Sequence, residues 1–154
     1  MIQRIQTVWF FLAAVVAALL FCIPASHFTV GSDSEAAFTL TAIGLRRGAD
    51  GTYLQFAWGI LTFSILETIL PIVALLSYKN RKRQRLLGTC LLLGHIILLG
   101  AIIAYGYAYA SDMKASLNTY IGTALPVVGY ILVRLALRGV QKDEELIRST
   151  ERFR

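Results

Sequence analysis

Two titratable residues stand inside otherwise apolar runs: Glu67 in FSILETIL and His95 in LLLGHIILLG. A carboxylate in such a run is costly to keep from water, so it calls for a partner. An imidazole can be one, because it donates or accepts according to its protonation. Along a helix rising about 1.5 Å per residue, Glu67 lies ~16 Å from Tyr78 and His95 ~14 Å from Leu86. Tyr78 ends one apolar run and Leu86 begins the next, so antiparallel helices would set the pair at nearly one depth. Glu67 and His95 are therefore expected to face each other among the helices, with Ser64, Thr68 and Tyr130 as further polar candidates for that interior. Such a pair suits a proton-linked or cation-binding site. It also suits a single buried hydrogen bond that fixes helix register.

The second concentration of chemistry is the segment SYKNRKRQR. It carries Lys79, Arg81, Lys82, Arg83 and Arg85 with no acid. Cations at helix ends attract anionic headgroups, at about 1 kcal/mol each near a membrane surface. Other reactive patterns are missing. The chain has no glycine-rich phosphate loop, no zinc-ligand spacing, and no nucleophile in register with a histidine and a carboxylate. One glutamate and one histidine are too few for a metal site of known type. No catalytic residue, metal or cofactor is expected, and the chain reads as a non-enzyme. His27 reads as an ordinary surface histidine.

The elements that must position these residues are four long apolar runs, at about 7–23, 53–78, 86–107 and 119–137. Each is near the ~20 residues that cross ~30 Å of hydrocarbon as a helix. With 56% hydrophobic residues in 154, whole helix circumferences are apolar, which suits lipid better than water. The expected fold is an all-α membrane protein, a four-helix transmembrane bundle over residues 1–138 with a charged cytoplasmic tail at 139–154. The net charge of +6 is explained by orientation more cheaply than by nucleic acid, which is not an expected partner. The basic segment after the second run marks the cytoplasmic side, and both termini join it there.

The polar gaps carry finer signals. Phe28–Val30 and Phe38–Thr41 flank a Gly31–Ser34 turn and predict a small hairpin capping the outer helix ends. Pro71 and Pro126 lie inside runs two and four and predict kinks. Gly139 predicts a stop or bend, followed by a short helix over Lys142–Arg154. Ala13/Ala17, Ala14/Ala18 and the set Gly100, Ala104 and Ala108 are small-residue strips that let helices approach closely. Cys22 and Cys90 fall near opposite ends of the bundle, too far apart to bridge, and read as buried apolar residues. Gln3 and Gln6 are placed to bond Asn80 or Gln84 across the inner face. Pro24-Ala25-Ser26 is a poor cleavage site, so the first run reads as an uncleaved anchor.

Three segments carry a resemblance: Ile2-Gln3-Arg4-Ile5-Gln6-Thr7, Tyr78-Lys79-Asn80-Arg81-Lys82 with Gln84, and Glu145–Arg154. Together with the four runs they resemble a family of four-helix inner-membrane proteins of Bacteroidota catalogued as a domain of unknown function. The departures are Leu76-Ser77 before the basic run and Arg152-Phe153-Arg154 at the end. The resemblance implies four spans in the bacterial inner membrane and supplies no activity. Its distinctive segments all lie on the expected cytoplasmic face. The leading expectation is a small scaffold or accessory subunit. It would hold a membrane or cytoplasmic protein, a second copy, or anionic lipid, using Arg4, Lys79, Asn80, Arg81, Lys82, Arg83, Arg85, Arg148, Arg152 and Arg154. The alternative is a small proton-linked carrier or channel centred on Glu67 and His95.

Overall fold

The computed structural model describes residues 3–30, 37–48, 50–78, 80–119 and 121–152; the side chains of Gln3, Arg4, Ile5, Thr119, Glu144, Leu146, Ile147, Arg148, Thr150, Glu151 and Arg152 fall outside that description. Four α-helices form a ring: α1 (Gln3–Leu19), α2 (Trp58–Leu76), α3 (Arg81–Met113) and α4 (Leu125–Arg152). Helix α1 packs on α2 and α4, and α3 packs on the same two. Three helical stretches, Trp58–Leu76, Arg81–Met113 and Ile121–Asp143, are long and apolar enough to cross a membrane. Helix α1 is a shorter apolar helix.

The gap between the first two apolar runs is more than a hairpin. Strands β1 (Ser26–Thr29), β2 (Ala37–Leu40), β3 (Gly44–Arg47) and β4 (Tyr53–Phe56) form a meander, and β5 (Ser116–Thr119) joins its far edge. The order is β4-β3-β2-β1-β5, and every pairing is antiparallel. An all-α fold is thus corrected to helices plus a five-stranded sheet. The expected β1–β2 pair is present, and its connecting turn at 31–36 lies outside the described residues. The buried sheet residues Phe28, Leu40 and Leu45 merge with Leu20, Ile60, Leu98 and Ile102 into one core. The sheet and the helix ends therefore share their apolar burial, and neither needs a separate core.

Several boundaries move as a consequence. Tyr53–Phe56, expected in the second run, is strand β4, and the helix starts at Trp58. Residues 119–124 are not the start of a long helix, because a 3-10 turn over Ile121–Ala124 precedes α4. Pro126 is then the second residue of α4, where its missing N–H costs no helix bond, so it starts the helix and does not kink it. Pro71 does lie inside α2, which continues through it. Helix α4 runs unbroken past Gly139, so the separate tail helix is absent. Gly139 is there for proximity: a Cβ would come 2.7 Å from the Gln6 side chain of α1.

Local signals explain the turns. The Asn80 side chain caps α3 by accepting from the Arg83 N–H at 3.1 Å. Lys114 closes α3 in the left-handed region at φ 49° and turns the chain toward β5. At about 1.5 Å per residue α3 is ~50 Å long, so its last turns stand beyond its neighbours and carry the sheet.

Candidate functional site

Glu67 is the tenth residue of the 19 in α2, so it sits at that helix's midpoint. It is 1% exposed, and His95 on α3 is 3% exposed. A Glu67 carboxylate oxygen (Oε2) lies 2.7 Å from His95 Nδ1. The same Nδ1 lies 2.8 Å from the Leu91 carbonyl on its own helix. One N–H cannot point along both directions, and the carbonyl has the better alignment. Oε2 is therefore close to the ring yet lacks a well-directed donor.

Two glycines make the room. A Cβ at Gly94 would fall 1.9 Å from Glu67 Oε1, and one at Gly129 would fall 2.2 Å from His95 Nε2. Helices α3 and α4 are thus cut away opposite each polar head. Four residues after Glu67 comes Pro71, which has no N–H to return to the Glu67 carbonyl. The helix is locally one backbone bond short beside the carboxyl. Ser64, one turn earlier, is fully buried with an unpartnered Oγ. A cavity of about 10 Å³ touches the pair, lined also by Ala17 of α1, by Leu20 just past that helix, and by Leu98, Leu125 and Pro126. That is close to the smallest space that holds one water.

The other polar candidates do not join this group. Thr68 Oγ1 donates to the Ser64 carbonyl at 2.8 Å within α2. Tyr130 sits 3.5 Å from an Arg134 nitrogen on a more open face of α4. His27 lies in β1.

A second polar layer closes the opposite end of the ring, one that charge counting missed. Buried Gln6 donates to buried Asp143, and Arg81 donates to the Asp143 carbonyl at 3.1 Å. Gln6 therefore bonds α4 and not Asn80 or Gln84. Gln3's side chain lies outside the described residues. The sequence signal was an acid at 143 near a helix expected to be solvated. Of the basic candidates, Arg81 is engaged here, Asn80 caps α3, and Lys82, Arg83 and Arg85 are exposed. Lys79 and Arg154 lie outside the described residues, as do the side chains of Arg4, Arg148 and Arg152. The cysteines differ from expectation: Cys22 and Cys90 are free and exposed on the outer surface. Ala13, Ala14 and Ala17 are buried between helices, whereas Ala18, Gly100, Ala104 and Ala108 face outward. Among the described residues no cluster of three or more His, Cys, Asp or Glu is placed to hold a metal.

Fold and site together define a helical protein with three helices of bilayer-crossing length, a sheet at one end, and a carboxyl–imidazole pair sequestered in its middle. A family model described as a domain of unknown function (DUF4293) matches residues 2–153, and the chain belongs to that family. No curated protein matches it.

Proposed function

We propose that the chain is a multi-span inner-membrane protein whose working centre is a proton-binding site made by Glu67 and His95, the core of a small proton-linked carrier. The lipid setting is supported by the inverted distribution of side chains. Large apolar residues face outward on every helix, among them Phe11, Val15, Ile69, Ile72, Ile97 and Ile131, while Ser64, Glu67 and His95 face inward. At most 33% of the apolar stretch of each of the three long helices is buried within the molecule. The remaining surface would be an aggregation site in water. In this reading α1 also spans, and the basic end with both termini faces the cytoplasm.

The observation that carries the proton reading is the underbonded carboxylate oxygen held 2.7 Å from an imidazole nitrogen. A register-fixing bond would be expected to have good alignment and dense packing around it. This pair has poor alignment and a water-sized space beside it. One proton can pass between Oε2 and the ring over that distance with little movement of either helix. The test is infrared difference spectroscopy of the reconstituted protein between acid and neutral pH. Wild type should show a protonated-carboxyl band that Glu67→Gln removes. A spectrum with no Glu67-dependent band over the pH range in which the protein stays folded would sink the reading.

A separate observation supports docking at the basic end. Lys82, Arg83, Arg85, Arg138 and Lys142 are all exposed there; of the nearby acids Asp143 is turned inward and Glu145 is exposed. The scaffold reading then commits to anionic lipid as the ligand of this collar. Native mass spectrometry would show bound anionic phospholipid on wild type and its loss from an Arg83→Gln/Arg85→Gln variant; equal retention by both would remove this role.

A further inference from the structure

A second space, of about 240 Å³, lies between α3, β1, β5 and the 3-10 turn and opens to the outside beside the exposed Ile103 and Tyr107. Gly106 and Ile102 of α3, Leu117 of β5, and the hydroxyl-bearing Ser26 and Thr123 line its inner wall. The small cavity at the pair and this larger one lie along the same two pieces of chain. Leu98 borders the first and Ile102 the second, one turn apart on α3. Leu125 and Pro126 border the first and Thr123 the second. From His95 to Ile102 is ~10 Å along the helix axis.

We infer that the Glu67–His95 pair exchanges water and protons with the sheet-bearing side of the molecule, through the seam between α3 and Thr123–Pro126, and is closed toward the opposite side. The inference deepens the proton-binding reading and rests on it. Between the two cavities stand Leu98, Ile102 and Leu125, at the edge of the core that the helices share with the sheet. The chain behind Leu125 is a weak joint. It changes from 3-10 to α at Ala124. Two ties hold it to the α1–β1 connection. Thr123 Oγ1 donates to the Ala25 carbonyl at 2.5 Å, and Gly122 packs so close to Pro24 that a Cβ there would lie 2.3 Å from its carbonyl oxygen. A swing of Leu125 about this joint joins the two cavities without parting the helices. Toward the other end stands the packed cluster of Phe10, Ala74, Leu91, Val133 and Ala136, each with no exposed surface. Water crossing that layer would need whole helices to separate. Among the side chains lining the small cavity, Glu67 and His95 alone titrate, so a proton arriving by the seam meets the pair first.

Single cysteines in a Cys22→Ser/Cys90→Ser background test the route in proteoliposomes. Asp112→Cys, exposed at the end of α3, marks the sheet side. A charged, membrane-impermeant methanethiosulfonate added on that side should label Ile102→Cys, and Leu125→Cys more slowly, while Leu91→Cys stays unlabelled from either side. Adding Thr123→Val should raise the Leu125→Cys rate several-fold by releasing one tie. Leu125 is only partly buried, so its variant reports even where Ile102→Cys fails to fold. The route is overturned by a silent Leu125→Cys with and without Thr123→Val, or by Leu91→Cys labelling from the far side. Labelling reads water access alone. A labelled seam with no Glu67 infrared band would sink the proton centre instead, and the band with a silent seam would sink the route alone.

Discussion

On the sheet side of His95 the interior is built from Leu20, Ile60, Leu98 and Ile102, which continue into Phe28 and Leu40 of the sheet; Leu20 and Leu98 border the small cavity and Ile102 the larger one. On the other side Phe10, Ala13, Ala74, Leu91, Val133 and Ala136 pack as a separate cluster. The difference lies in the residue sizes. Alanines at 13, 74 and 136, with Gly88 against Leu137, bring four backbones close around one phenyl ring. On the sheet side the two polar heads sit against Gly94 and Gly129, and the two spaces lie beyond them. Close packing gives a seal; unfilled space is what polar groups and water can use. Each half also has its own polar device. The pair at Glu67 is underbonded beside a cavity, whereas Gln6, Asp143 and Arg81 tie α1, α4 and α3 together.

Four sets of substitutions would break or sharpen that contrast, each read by thermal unfolding of the purified protein in one detergent. Phe10→Ala should have the largest effect, a loss of about 3–5 kcal/mol, because the small residues around it cannot collapse into the space. A loss below about 1 kcal/mol would mean the seal is loose. Gly94→Ala and Gly129→Ala should each cost about 1–3 kcal/mol by overpacking the pair, with Gly100→Ala as a neutral control. Nothing lies within 4 Å of a Cβ at Gly100. Equal melting of all three glycine variants would show that the cut-outs are not needed.

Gln6→Leu should cost about 1–3 kcal/mol by leaving Asp143 buried without its side-chain donor. Adding Asp143→Leu should return most of that loss, since two apolar groups replace a broken polar contact. If the double variant is the less stable one, the layer does more than tie helices. The smallest effect belongs to Ser64→Ala, expected within about 0.5 kcal/mol of wild type, because its buried Oγ has no bond to lose. A large loss there would place an ordered water between Ser64 and Glu67.

The chain's order alone settled the depth of Glu67 and His95. Helix rise is constant, so counting residues from Tyr78 and from Leu86 sets two side chains level wherever the helices pack. It also marked the apolar runs and the β1–β2 pair, because periodicity and turn residues are local properties. Tertiary structure decided what depended on distant neighbours. Ser116–Thr119 became a strand only because β1, nearly 90 residues earlier, offered it an edge. Tyr53–Phe56 is as apolar as a helix start, and β3 claimed it for the sheet. Gly139 reads as a helix stop by propensity, yet it lies within an unbroken α4 where Gln6 needs the room. Asp143 turned inward because Gln6 and Arg81 met it there. Those outcomes depend on which surfaces meet, and no window along the chain contains both partners.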